Sequence, residues 1–186
     1  VSFGSVLDEF ARNIDVRALT TEQFVQLLET LCMLDDAGAG VELSSLSTEV
    51  LADIVAKASK DQIKGIAAHQ GLRAVFLDEI FRRMSEHFVP ERAKHISIVV
   101  GWRFPSDEYA FDRFQTVIED GRCVSSADCG RTPDTTITVA VDDFIRMATG
   151  NALAAAMFVT GKVKVKGEYA PAVRLSGYFD IPKVRE

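Results

Sequence analysis

The chain predicts an α+β fold: a five-stranded, mainly antiparallel sheet with helices covering one face, preceded by a helical N-terminal region. Three observations carry this. Residues 1–66 contain apolar residues at three- and four-residue spacing only; a long amphipathic stretch then gives way to four segments that alternate apolar with polar; and a fifth such segment lies between Gly161 and Gly167, flanked by short apolar helical stretches. Strands joined by short turns, with helices gathered before and after them, pair mainly antiparallel and bury one face. The expected division is residues 1–66, helical, and 67–186, the sheet-containing domain.

Leu7, Phe10, Ala11 and Ile14 make a first helical stripe. Thr21 opens a second, with Phe24, Leu27, Leu28, Leu31 and Leu34, which stops at the turn marked by Gly38 and Gly40. Ser47 caps a third stripe of Val50, Leu51, Ile54, Val55 and Ala58, broken at Ser59 or Lys60. The segments LTTEQFVQLL from Leu19 and LSTEVLADIV from Leu46 echo each other, which shared capping chemistry explains without a repeat. Leu72, Val75, Phe76, Ile80, Phe81, Met84 and Phe88 then write one long helix that ends before Pro90.

The first strand is expected over His95 to Phe104, with Ile96, Ile98, Val100, Trp102 and Phe104 on one face and His95, Ser97, Val99 and Arg103 on the other. Pro105 to Ala110 reads as a loop, and FDRFQTVIE as a second strand facing inward through Phe114, Thr116 and Ile118. Asp120-Gly121 is a hairpin signal leading to a third strand over Arg122 to Ser126. A turn at Gly130, Thr132 and Pro133 precedes a fourth strand, TTITVAV, in which Ile137, Val139 and Val141 alternate with polar residues or small Ala140.

Hydrophobic residues make up 47% of the chain, enough to fold on a real core. A net charge of -6 and the lack of any five-residue basic run argue against nucleic acid as a partner. The longest apolar runs, Ile96 to Gly101 and Ala152 to Val159, fall far short of the roughly 20 residues a membrane span needs. The first residues lack a positive cluster followed by an apolar run, so a cytoplasmic protein is expected. Cys32, Cys123 and Cys129 have neither the number nor the spacing of a disulfide framework or a zinc site, and no metal or cofactor is expected.

The stretch MFVTGKVKVKGEYAPAVRLSGYF, from Met157 to Phe179, is the most specific motif. Lys162, Lys164 and Lys166 alternate with Val163 and Val165 between two glycines; Glu168 follows, and Ala172, Val173, Leu175 and Phe179 recur at helical spacing around Pro171. This order of apolar helix end, glycine, amphipathic strand, glycine, acid and apolar helix resembles the closing segment of the sterol carrier protein type 2 family. Upstream, DDFIRMATG from Asp142 and ALAAAMF from Ala152 resemble the paired short helices that precede that strand in the family. The resemblance covers about Leu72 to Lys183. The N-terminal helices lie outside it and are reminiscent of helical extensions in some bacterial members.

The resemblance implies an apolar tunnel between sheet and helices that holds a lipid such as a fatty acid, fatty acyl-CoA or sterol. The walls it implies are Phe76, Ile80, Phe81 and Met84 on the long helix, Ile98, Val100 and Trp102 on the first strand, and Phe144, Met147, Met157 and Phe158 on the short helices, with Val173 and Phe179 closing one end. A 16-carbon tail gains on the order of 10 kcal/mol gross from burial, before ordering costs. The three lysines are candidates for transient contact with an anionic membrane, although such residues also serve simply to protect an exposed strand.

No enzyme is expected, since GxSxG, HExxH, P-loop and GxGxxG patterns are all missing and His69, His87 and His95 sit near element ends. An enzyme using the same tunnel is the alternative, with Glu168 or Tyr169 at its mouth as acid or base. A third reading gives the N-terminal helices the main role, as a docking or homodimer module, with the sheet domain as scaffold.

Overall fold

A computed structural model describes residues 9–36, 46–106, 111–127 and 130–180. The expectations for Leu7, the Gly38 and Gly40 turn, the side chains of Leu31 and Leu34, residues 107–110, Cys129 and Lys183 lie outside the described residues. Helix α1 spans Thr21–Asp36, α2 Thr48–Lys57, α3 Lys60–Ala68 and α4 Gln70–Glu86. Their starts are set by side chains that satisfy free amide groups. Thr20 Oγ1 accepts from Gln23 N at 3.1 Å while Gln23 Oε1 accepts from Thr20 N at 2.9 Å. Ser47 Oγ accepts from Val50 N at 3.2 Å, and Ser59 forms a full capping box with Gln62. Thr20 and Ser47 occupy equivalent places in the two echoed segments, so capping accounts for the echo.

The sheet contains β1 (Ile98–Pro105), β2 (Phe111–Glu119), β3 (Arg122–Ser126), β4 (Thr135–Val139) and β5 (Val163–Gly167), in the order β3-β2-β1-β4-β5. All pairings are antiparallel except β1 with β4, which is parallel. Asp120 and Gly121, with φ 53° and 71°, make the tight hairpin that the sequence signals. β1 starts at Ile98, three residues later than expected, because His95 turns the chain with φ 64°. Val99, expected on the solvated face, is buried: Val99 N donates to Asp134 Oδ2 and Asp134 N to Val99 O, each at 2.8 Å, laying that loop over it. Val141 leaves the strand to begin the next helix.

That helix, α5 (Val141–Ala148), is followed by α6 (Ala154–Val159), and after β5 by α7 (Tyr169–Arg174) and a 3-10 turn at Leu175–Tyr178. Gly167 is required where β5 meets α7: its φ is 96°, and a Cβ there would stand 2.8 Å from Asp134 O.

One contiguous core joins residues of the N-terminal helices to the sheet, from Ala11 and Phe24 through Ile80 to Phe179. Polar ties reinforce the junction. Within the N-terminal helical region Gln62 Nε2 donates to Val16 O and Leu19 O, both at 2.9 Å; across the junction Asn151 Nδ2 donates to Ala52 O at 3.0 Å. Buried Arg83 pairs with Glu79 at 2.6 Å and donates to Leu46 O at 2.6 Å and Thr48 Oγ1 at 3.1 Å.

Candidate functional site

The α4 helix lies over the sheet with Phe81 at the centre of an aromatic cluster. Its ring stacks on Phe114 at 4.9 Å, with Phe144 at 5.1 Å, Trp102 at 5.7 Å and Phe104 at 6.0 Å. Trp102 uses its polar edge away from solvent: Nε1 donates to Thr116 Oγ1 at 2.9 Å, and Thr116 shares a 2.8 Å hydrogen bond with Ser125. Its donor is thereby satisfied and the rest of the indole serves as apolar surface.

Beside this cluster lies an apolar cleft of about 90 Å³. Its floor is Trp102 of β1, Ile137 of β4 and Val163 of β5; its walls are Met84 of α4, Phe144, Met147 and Ala148 of α5, and Ala154 and Phe158 of α6. Ala172, Leu175, Ser176 and Phe179 close it from the last helical segment. The Ser176 hydroxyl is the only polar side-chain group among the described lining residues. The volume is well under the roughly 300–1,000 Å³ of pockets that engulf drug-sized ligands, so a short cleft stands where a tunnel is expected.

Six of the expected wall residues come together here: Met84, Trp102, Phe144, Met147, Phe158 and Phe179. The others lie elsewhere. Phe76 faces the N-terminal helices in a separate apolar cavity with Phe24, Leu28 and Leu46, and Ile80 lines a small cavity with Thr48 and Leu51. The wide stripe of α4 serves two layers, and only part of it turns to the cleft. Ile98, Val100 and Met157 are buried without lining the cleft, and Phe81 fills the aromatic cluster. Val173 does not close an end: it is 53% exposed, because the buried set of this segment is Ala172, Leu175, Tyr178 and Phe179.

Ile137, Val163, Ala172 and Leu175 are lining residues missing from the expected set, although their strand alternation or helical spacing was readable. Ala148, Ala154 and Ser176 carry no such signal, being small or polar. Glu168 and Tyr169 are exposed and do not line the cleft; Tyr169 packs its ring 5.6 Å from Phe158 at the outer side.

A second, more polar groove of about 460 Å³ runs between α4 and β3, where Asp78, Arg82, Ser85 and Cys123 meet. Burial pushes the Cys123 thiol up to about 11, so it is held as an unreactive thiol near neutral pH. Burial likewise raises the Asp78 carboxyl. Among the described residues, no group of three or more His, Cys, Asp or Glu could hold a metal ion, and no helix is long and apolar enough to cross a membrane.

Comparison with known proteins agrees with this geometry. Residues 90–180 match the model of the SCP-2 sterol transfer family. No curated protein sequence matches the chain. Among solved structures, the sterol carrier protein domain 2 of Helicoverpa armigera is 17% identical, covering 55% of this chain and 84% of its own, with a TM-score of 0.47. The stereoselective inverting sec-alkylsulfatase of a Pseudomonas species is 12% identical over 87% of this chain, with a TM-score of 0.50. A double mutant of a sec-alkyl sulfatase is 12% identical over 95% of it, with a TM-score of 0.51. The chain spans 30% and 32% of these two sulfatase chains, and at such identity the likeness is one of fold, which here includes the N-terminal helices. Residues 90–180 thus carry a domain similar to the SCP-2 sterol transfer family, and the helices that precede it lie outside that match.

Proposed function

We propose that the chain binds a single-tailed lipid such as a fatty acid, holds the tail in the cleft between sheet and helices, and releases it chemically unchanged. The observation that supports this is the lining: twelve apolar side chains and one hydroxyl. Such a surface gains about 0.8 kcal/mol for each methylene it removes from water.

A whole tail needs more room than about 90 Å³. The walls best able to yield are the methionines Met84 and Met147, with flexible side chains, and the short segment from α7 through Phe179. The thiol of Cys123 suits a reducing compartment, and we place the activity in the cytoplasm.

The test is a displacement titration of delipidated protein with a fluorescent fatty acid, competed by palmitate, palmitoyl-CoA and cholesterol. Saturable binding displaced by palmitate is expected, and Met147→Trp, which fills the cleft, should weaken it at least about tenfold, the equivalent of roughly 1.4 kcal/mol. No saturable binding, or unchanged affinity in a folded Met147→Trp variant, overturns the reading.

A further inference from the structure

Three voids follow one stripe of α4. Phe76, Ile80 and Met84 stand one helical turn apart on the same side of the helix, a run of about 12 Å at the usual rise. Phe76 lines the cavity among the N-terminal helices, Ile80 the small cavity beside Thr48, and Met84 both that small cavity and the cleft. Protein interiors leave few voids larger than a water molecule, so a row of them along a single helix calls for a cause. The voids also share walls. Ala148, like Met84, lines both the cleft and the middle cavity, and Leu51 of α2 lines both the middle cavity and the N-terminal one. A flexible methionine, a methyl group and one leucine are therefore the side chains common to neighbouring voids.

The chemistry of the two inner voids suits a hydrocarbon. The N-terminal cavity, of about 40 Å³, has no polar surface. Water needs several polar partners to stay in a cavity, so this one is dry, and only an apolar occupant restores the contacts its walls lack. The middle cavity, of about 20 Å³, includes Thr48, Arg83, His87 and Thr149 in its lining, but their polar atoms are engaged elsewhere. Arg83 is held by Glu79, Leu46 O and Thr48 Oγ1; His87 Nε2 lies 3.3 Å from Thr48 Oγ1; and Thr149 Oγ1 donates to Ile145 O at 2.7 Å. What these residues leave to the void is mainly carbon. The cleft opens where exposed Ser176 and half-buried Phe158 line it, whereas Met84 and Leu51 are buried.

We propose that the binding site continues past the cleft along the Phe76, Ile80 and Met84 stripe and ends between the N-terminal helices, so that this helical region receives the far end of a long acyl tail and sets the tail length the protein prefers. The inference rests on the reading of the cleft as a lipid site. It gives residues outside the matched 90–180 domain a part in ligand selection, with Met84 and Leu51 as the side chains that move aside.

Displacement titrations of the full chain with decanoate, myristate and stearate test it. Each methylene that finds room out of water tightens binding by up to about fourfold, whereas one left in water gains nothing. Wild-type protein should therefore bind stearate at least about tenfold tighter than decanoate; equal affinities would end the tail in the cleft and overturn the extension without any variant. Ala11→Leu adds bulk to the N-terminal cavity, which Ala11 lines, and should lower the stearate-to-decanoate affinity ratio at least about fourfold. Leu51→Ala removes the wall shared by the two inner cavities and should raise that ratio. Thermal unfolding identifies which variants are folded, and a folded variant of either kind that keeps the wild-type ratio would sink the proposal while leaving the carrier reading intact. Wild-type protein that binds none of the three acids would remove the carrier reading and the extension together.

Discussion

Single residues show where the fold tolerates a cost. Thr135 pairs with Val100 on one side and Gly167 on the other, is 1% exposed, and its hydroxyl has no hydrogen-bond partner among the described residues. A buried hydroxyl left in this way loses its hydration without compensation. Thr135→Val keeps the β-branched shape and removes the polar atom, so it should leave stability unchanged or raise it by about 1 kcal/mol in urea unfolding; a clear loss would mean the hydroxyl has a partner in solution. Trp102 is the opposite case. Its alternation in β1 was readable, but its satisfied donor and its place on the cleft floor follow from Thr116 and Ser125 on neighbouring strands, which no local pattern pairs with it.

At the scale of elements, α4 organises the molecule, because one of its faces meets the sheet and another meets the N-terminal helices. Its Glu79 joins Arg82 and Arg83 at the buried junction. Burial by itself would raise the Glu79 carboxyl, but the hydrogen bonds from Arg82 and Arg83 outweigh it and hold the group below its ordinary value of 4.5. The unfolded chain therefore binds this proton more readily than the folded one. The stabilisation is complete above the ordinary value and is lost as pH falls through the depressed folded value. Glu79→Gln should flatten that acid dependence and, by leaving Arg83 without its carboxylate, lower stability by about 3 kcal/mol at neutral pH. Denaturant melts of both proteins across the acid range measure it; parallel curves would refute it. The long helix itself was legible from its stripe, whereas the splitting of that stripe between two layers was not. Phe76 and Ile80 look like Met84 in spacing, yet the first two face helices and the third faces the cleft.

The whole molecule has a continuous core running from the N-terminal helices into the sheet domain. A chain beginning at Gly71 should uncover Phe76, Leu77 and Ile80 and strand Arg83 without Leu46 O and Thr48, and should aggregate or bind a hydrophobic dye on size-exclusion and fluorescence measurement. A monodisperse fragment that retains fatty-acid binding would show two independent units instead. The sequence by itself determined the α+β class, the five strands, the Asp120-Gly121 hairpin and the β5 signature, because periodicity, caps and turn glycines are local properties written at fixed spacing. Tertiary structure alone decided the parallel β1–β4 pairing, the choice of six expected wall residues over seven others, and the size of the cleft. Those depend on how side chains distant in sequence fill a shared volume, and an apolar stripe is written the same way whether it lines a cleft or closes a core.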